Sequence, residues 1–230
     1  SNPECIVCTG TSDSVAAFIA SGANEPGDAC TSLGSTLAWK LISEARVDDA
    51  SVGIYSHKIG DQYWLVGGAC NTGGNILRAF FTNDELQSLT DTIEMENMFE
   101  LNLFGVRDAD FFKSNAGGDF GLEVSDAVKK CESERETCEN DAVFLCKLFS
   151  SIAKAEKRCY DNANAMGASE KLKKVYTSGG GAANATWCKM RSSCLSIDNK
   201  SGSTIDVVAS EYTEASYGTA LLAKKGYHSR

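Results

Sequence analysis

The stretch Lys173-Lys174-Val175-Tyr176-Thr177-Ser178-Gly179-Gly180-Gly181-Ala182-Ala183-Asn184 constrains the fold more than any other part of the chain. A β-rich run ends in three consecutive glycines, and Ala185-Thr186-Trp187-Cys188-Lys189-Met190 then reads as helix with Asn184 as its N-cap. Three missing Cβ atoms let a flat or anionic ligand lie against bare amides that the helix dipole also faces. A nucleotide fits that description, and so does a turn that needs glycine only for positive φ. Neither G-x-x-x-x-G-K-[ST] nor G-x-G-x-x-G occurs, which excludes the two commonest nucleotide motifs.

The 230 residues, 43% of them hydrophobic, suffice for one good core, as a single domain or two packed lobes. A net charge of −9 argues against a nucleic-acid partner, because phosphate backbones require clustered Lys and Arg. The dense basic spots, Lys171 to Lys174 and Lys224-Lys225, fall at expected element ends. No apolar run approaches the roughly 20 residues of a membrane span. An intracellular, cytoplasmic protein is expected, with a plastid-type organelle as the other compartment. The Ser1-Asn2 start, without an initiator Met, leads to the expectation that the natural protein extends upstream. The ten cysteines are scattered, and we read them as mostly free, buried thiols. Cys5-x-x-Cys8 is half of a zinc pattern that neither a second pair nor a nearby His completes, so no metal ligands are assigned.

Taken in order, Cys5 to Cys8 reads as a short strand and Ser14 to Ser21 as a helix ended by Gly22. Asp13 stands at their junction, as the helix N-cap or as a general base on a rigid support. Ala29 to Leu33 and Leu37 to Ile42 form a hairpin through Gly34-Ser35-Thr36, whose amides and hydroxyls suit phosphate oxygens or merely a turn. Val52 to Lys58 and Gln62 to Val66 form a second antiparallel pair, followed by the glycine loop Gly67 to Gly74 and a helix from Asn75 to Phe81. Thr82-x-x-Glu85 is a capping box. Glu94 to Asn140, with Gly117-Gly118, reads as an irregular connection plus one solvated helix. Asp141 to Met166 is the clearest helix: Leu145, Leu148, Phe149, Ile152, Cys159, Tyr160, Ala163 and Met166 line one face, with Lys and Glu on the other. Thr204 to Val208 is a short strand, and Thr213 caps a helix ended by Gly226 whose small residues, Ala215 to Ala220, admit a close neighbour or a ligand. Strands with hairpins, a long helix, then strand-helix-strand-helix make an α/β layered lobe.

Four elements in this order resemble the C-terminal half of the FGGY carbohydrate kinases: Gly10-Thr11-Ser12-Asp13, Ser32-Leu33-Gly34-Ser35-Thr36, Gly179 to Asn184, and Thr213 to Ala220. Asn71-Thr72-Gly73-Gly74 and Ile76-Leu77-Arg78 fit the same family's middle segment, nearest its D-ribulose kinase and xylulokinase-like branch. The resemblance covers roughly residues 5 to 93 and 141 to 225. It implies an α/β, actin/hexokinase-like (ribonuclease H-like) ATPase lobe, a mixed sheet flanked by helices. It divides the chain into a hinge-side segment, 1–13, and a C-terminal nucleotide-binding domain, 14–230.

By that resemblance Asp13 is the carboxylate that deprotonates a ketopentose hydroxyl, Gly34, Ser35 and Thr36 contact the ATP phosphates, and Gly180, Gly181 and Asn184 receive the adenosine. Gly73 and Gly74 would lie across the cleft, and ATP with Mg²⁺ would be the cofactors. Ser35 stands where the family usually has Thr. The expected partners are ATP or ADP, a small sugar and the N-terminal lobe of the same protein, with homodimerisation through the exposed lobe face beside them. Without that lobe's phosphate loop and sugar contacts, the chain alone is expected to be inactive. The competing reading is a non-catalytic actin-like module for nucleotide sensing or protein contact. An α/β hydrolase is disfavoured, since no G-x-S-x-G occurs and His57 falls mid-strand.

Overall fold

The computed structural model describes residues 5–51, 53–71, 73–95, 124–168, 171–197 and 203–228. Its centre is a six-stranded sheet in the order β3-β4-β2-β1-β5-β6. Strands β1 (Asp28–Leu33) and β2 (Leu37–Ser43) form the expected hairpin, with Leu33 opposite Leu37 and Ala29 opposite Leu41. Strands β3 (Tyr55–Ile59) and β4 (Tyr63–Cys70) extend it antiparallel on one side. On the other, β5 (Lys174–Ser178) lies parallel to β1 and β6 (Asp206–Ala209) parallel to β5. A parallel pairing needs a long crossover. The helical stretch between β4 and β5 provides it, so β1 is where the sheet changes from antiparallel to parallel.

Alternation along β1 divides the two faces. Thr31 points to one helical layer, where it meets Glu156 and Tyr160, while Cys30 packs in the cluster of Val15 and Phe18 on the other. The first layer holds α2 (Gly74–Phe80), α3 (Asn83–Thr90), α4 (Val124–Arg135), α5 (Asp141–Ala165) and α6 (Ala185–Ser196), which with the sheet form the main core. The second holds α1 (Asp13–Ala20) and α7 (Ala215–His228). They touch backbone to backbone: a Cβ on Gly218 would stand 1.8 Å from the Ala16 carbonyl oxygen. Helix packing thus explains the small residues of α7.

Helix α5 begins where Asn140 Oδ1 accepts the Val143 amide at 3.0 Å and ends before Gly167, at φ +95°. Its 25 residues span about 38 Å, enough to cross the sheet. It is buried on two sides. Tyr160 meets Trp39 of β2 edge-on at 5.5 Å, and Phe149 stacks on Trp187 of α6 at 4.6 Å. Each such buried ring contributes on the order of 1.5–3 kcal/mol.

Between α5, α6 and the sheet lies a closed polar node. Arg191 Nε and Nη2 donate to the two oxygens of Glu156, each at 2.6 Å, and Nη1 donates to Thr177 Oγ1 at 2.8 Å. Thr31 Oγ1 donates to Glu156 Oε1 at 2.5 Å, so the Tyr160 hydroxyl must be the donor in its 2.7 Å contact with Thr31. Thr177 Oγ1 donates to the Thr31 carbonyl. Both charged side chains are wholly buried. Burial, and then the Glu156 charge, hold the Tyr160 phenol well above its usual range.

Several expectations require correction. Cys5 to Cys8 is not a strand, and Ser12 rather than Asp13 is the N-cap of α1. Gly67 and Gly68 belong to β4, and glycine stands there because the Trp39 carbonyl, at Gly67, and the Gly53 carbonyl with the Trp39 indole, at Gly68, occupy the space a Cβ would need. Gly226 lies inside α7, pressed on Cys8 Sγ, and does not end it. Met166 is 39% exposed, whereas Glu156, expected on the solvent face, is buried. Cys131 of α4 is fully buried, so that helix is not merely solvated surface. No disulfide joins the described cysteines, and five of them are buried. The connection with Gly117-Gly118 lies outside the described residues.

Candidate functional site

Strands β1 and β5 run parallel and end side by side, Ser32 opposite Ser178. Beyond them the chain turns twice, at Gly34–Thr36 into β2 and at Gly179 into a 3₁₀ turn, Gly180–Ala183, that leads to α6. The start of α2 is stitched to the first turn, the Gly74 amide donating to Gly34 O at 2.9 Å and the Asn75 amide to Ser35 O at 3.0 Å. A cleft of about 330 Å³ opens between these turns and α3. It lies at the carboxyl ends of two parallel strands, the usual ligand position in open α/β sheets.

The glycines here divide into two kinds. A Cβ on Gly73 or Gly74 would lie 2.4 Å from Thr36 C or 2.5 Å from Gly34 O, and one on Gly181 2.7 Å from the Trp187 ring. Gly179, at φ +81°, presses on the Leu33 carbonyl. Packing alone requires glycine at these four positions. At Gly34 and Gly180 the added atom would meet nothing within 4 Å, and neither has a positive φ. The fold does not need glycine at either, and both line the cleft.

Aromatic and amide side chains form the remaining walls. Phe149 and Trp187 contribute their stacked rings, and the buried Trp187 Nε1 has no hydrogen-bond partner. Asn184 is held at both ends of its amide: Oδ1 caps α6 by accepting the Trp187 amide at 2.9 Å, and Nδ2 donates one of its two N–H groups to Thr90 Oγ1 at 2.9 Å. Asn83 and Gln87, one turn apart on α3, also face the cleft. Arg78 of α2 stands at its edge, with Nη2 donating to Ser35 Oγ at 3.0 Å and to Asn75 Oδ1 at 2.7 Å.

Of the positions singled out in the sequence, Gly34, Gly74, Gly180, Gly181 and Asn184 converge on this cleft. Ser35 joins its rim through Arg78, while Thr36 and Gly73 pack against each other behind it. Asp13 does not line it. It is the exposed first residue of α1, in the other helical layer, where Oδ1 accepts the Ser14 amide at 2.6 Å. Its charge acts on Lys40 of β2, whose ammonium burial pulls below the usual lysine range.

Sequence reasoning missed Arg78, Asn83, Gln87, Phe149 and Trp187 as wall residues. A signal existed for two of them. Arg78 stands four residues beyond Gly74 on one helix, and Trp187 three beyond the N-cap Asn184. Among the described residues no group of three or more His, Cys, Asp or Glu could hold a metal ion, and no helix is long and apolar enough to cross a membrane.

No family model matches the chain. Solved structures do. A xyloylose kinase from Brucella ovis superposes with a TM-score of 0.65 at 17% identity, over 96% of this chain and 43% of that one. A xylulose kinase from Bifidobacterium adolescentis gives 0.66 at 18% identity, over 97% and 41%. A Plasmodium falciparum glycerol kinase, solved with ADP, gives 0.56 at 18% identity, over 91% and 40%. The chain thus spans about two fifths of the length of these kinases. At such identities the likeness is one of fold, and the fold is the actin/hexokinase-like one of these sugar kinases, a mixed six-stranded sheet flanked by helices.

Proposed function

We propose that this chain is the C-terminal, nucleotide-binding lobe of an ATP-dependent FGGY-type sugar kinase, residues 14–230 forming the lobe and residues 1–13 the hinge-side segment. The observation that carries the reading is the pair Gly34 and Gly180, unneeded by the fold yet exposed to one cleft at the ends of β1 and β5. Gly34 and Gly180 present bare main chain. Gly73, Gly74 and Gly181 allow α2 and Trp187 to close on it, and Asn184 fixes the start of α6 beside it. Ser35 and Thr36 carry the hairpin hydroxyls. ATP would supply the γ-phosphoryl group, and Mg²⁺ would neutralise charge across its phosphates.

Asp13 is the proposed general base, taking the proton of a ketopentose hydroxyl of the D-ribulose or D-xylulose type once an N-terminal lobe brings the sugar. Gly10, three residues earlier, supports this. It shares with Gly34 and Gly180 alone, among the described glycines, both an open Cβ position and no positive φ. The chain alone is expected to be inactive, the sugar-binding lobe being its missing partner.

The test has two arms. Calorimetric titration of the chain should show ATP binding that Gly180→Val abolishes while the folded far-UV spectrum persists. In the full-length protein, Asp13→Ala should abolish sugar-dependent ADP release with little change in ATP affinity. Near-normal turnover would remove Asp13 from the role, and unaltered ATP binding by Gly180→Val would sink the cleft assignment.

A further inference from the structure

The cleft wall is neutral except at one point. The chain carries 31 acidic and 22 basic side chains, a net −9, so an approaching polyanion is repelled unless a local cation receives it. Among the described residues lining the cleft, Arg78 is the one charged side chain. The acceptors that hold Nη2, Ser35 Oγ and Asn75 Oδ1, are neutral and leave the guanidinium charge whole. No described carboxylate pairs with it. Its other terminal nitrogen, Nη1, lies 3.4 Å from where a Cβ on Gly74 would stand, over bare backbone hydrogen-bonded to Gly34. A cation oriented by two neutral partners and facing an open glycine turn suits a bidentate contact with phosphate oxygens.

We infer that Arg78 is the phosphate clamp of this cleft, its guanidinium binding the terminal phosphates of a nucleoside polyphosphate and distinguishing it from the nucleoside. The inference rests on the nucleotide reading above and goes beyond it by naming the group that reads phosphate. Ser35 has a positioning role here: its hydroxyl ties the clamp to the β1–β2 turn.

Equilibrium binding of adenosine, ADP and ATP to the 230-residue chain, at low and at physiological salt, tests it. The parent should bind ATP and ADP more tightly than adenosine, with an ATP affinity that falls as salt rises. Arg78→Gln should weaken ATP and ADP about 10- to 100-fold, flatten the salt dependence and leave adenosine unchanged. Arg78→Lys should recover part of the loss, because it keeps the charge without the fork. Ser35→Ala should give a smaller, ATP-selective loss. Equal weakening of adenosine and ATP by Arg78→Gln would mean a structural role and overturn the inference. So would unchanged ATP affinity in that variant when the parent binds, which leaves the nucleotide reading standing. A parent chain that binds neither ligand defeats both.

Discussion

The polar node and the cleft are neighbours: α5 and α6 wall both, the node lies under Thr31 of β1 and Thr177 of β5, and the cleft lies just beyond the ends of those strands, where the two turns, α2 and α3 complete it. At the level of Thr31 and Thr177 every polar group named is satisfied from within, the carboxylate of Glu156 by Arg191 and Thr31 and the guanidinium by Glu156 and Thr177. Beyond Leu33 and Ser178, Gly34 and Gly180 stand open, Trp187 Nε1 of α6 has no partner, and Arg78, brought in by α2, has no described carboxylate beside it. One level is closed on itself, and the other presents open main chain and a cation to a cleft. Buried charge in a sheet therefore does not by itself mark a site. The informative sign is a polar group that the protein leaves unanswered.

The largest effect that would sharpen this contrast lies in the node. Arg191→Met leaves Glu156 buried and unpaired, and should cost about 3–5 kcal/mol in urea unfolding. The double replacement Arg191→Met with Glu156→Leu should recover part of that loss. A single replacement costing under about 1 kcal/mol would show that the node is not closed.

Adjacent glycines give the next test. Gly179→Ala forces a side chain into positive φ against the Leu33 carbonyl, and should cost about 1–3 kcal/mol. Gly180→Ala should change stability by no more than about 0.5 kcal/mol, or raise it slightly, while weakening ATP. If both residues behaved alike in unfolding and in binding, the division of glycines into packing and cleft positions would be lost.

The smallest effect concerns α3, the wall bearing Asn83 and Gln87. Its capping box is formed: the Thr82 amide and hydroxyl donate to Glu85 Oε2, and Thr82 Oγ1 accepts the Glu85 amide. The Thr82 amide, chiefly, holds the Glu85 carboxyl below its usual range. A carboxyl lowered in the folded state stabilises above its unfolded pKa, about 4.3, and loses that contribution as pH falls through the folded value. Denaturant midpoints of the parent and Glu85→Gln should therefore differ slightly at neutral pH and converge in acid. A gap that persisted or widened in acid would remove the carboxylate from the cap.

Local chemistry was the legible part of the sequence. The β1–β2 hairpin, the Thr82–Glu85 box and the Asn184 cap each depend on residues within a few positions, and all are present. The cleft glycines were legible through the resemblance, which ordered four distant elements. What escaped was set by a second neighbour. Glu156 reads as a solvent-facing charge if α5 packs only on the sheet, but α6 covers another side and carries Arg191 to it. Gly67 and Gly68 read as loop because what fills the space of their missing Cβ atoms, Trp39 and the Gly53 carbonyl, lies elsewhere in the chain. Arg78 stands out in the sequence only as part of the Ile76-Leu77-Arg78 segment, because its tie to the hairpin turn runs to Ser35, on a different element.

The contact of Gly218 with the Ala16 carbonyl has a mechanical consequence. With no side chain between them, the main chains of α1 and α7 themselves set how closely the two helices approach at that point. A side chain at position 218 would therefore have to push away the helix that begins at Asp13, so the seating of that helix depends on a single missing Cβ some two hundred residues further along the chain.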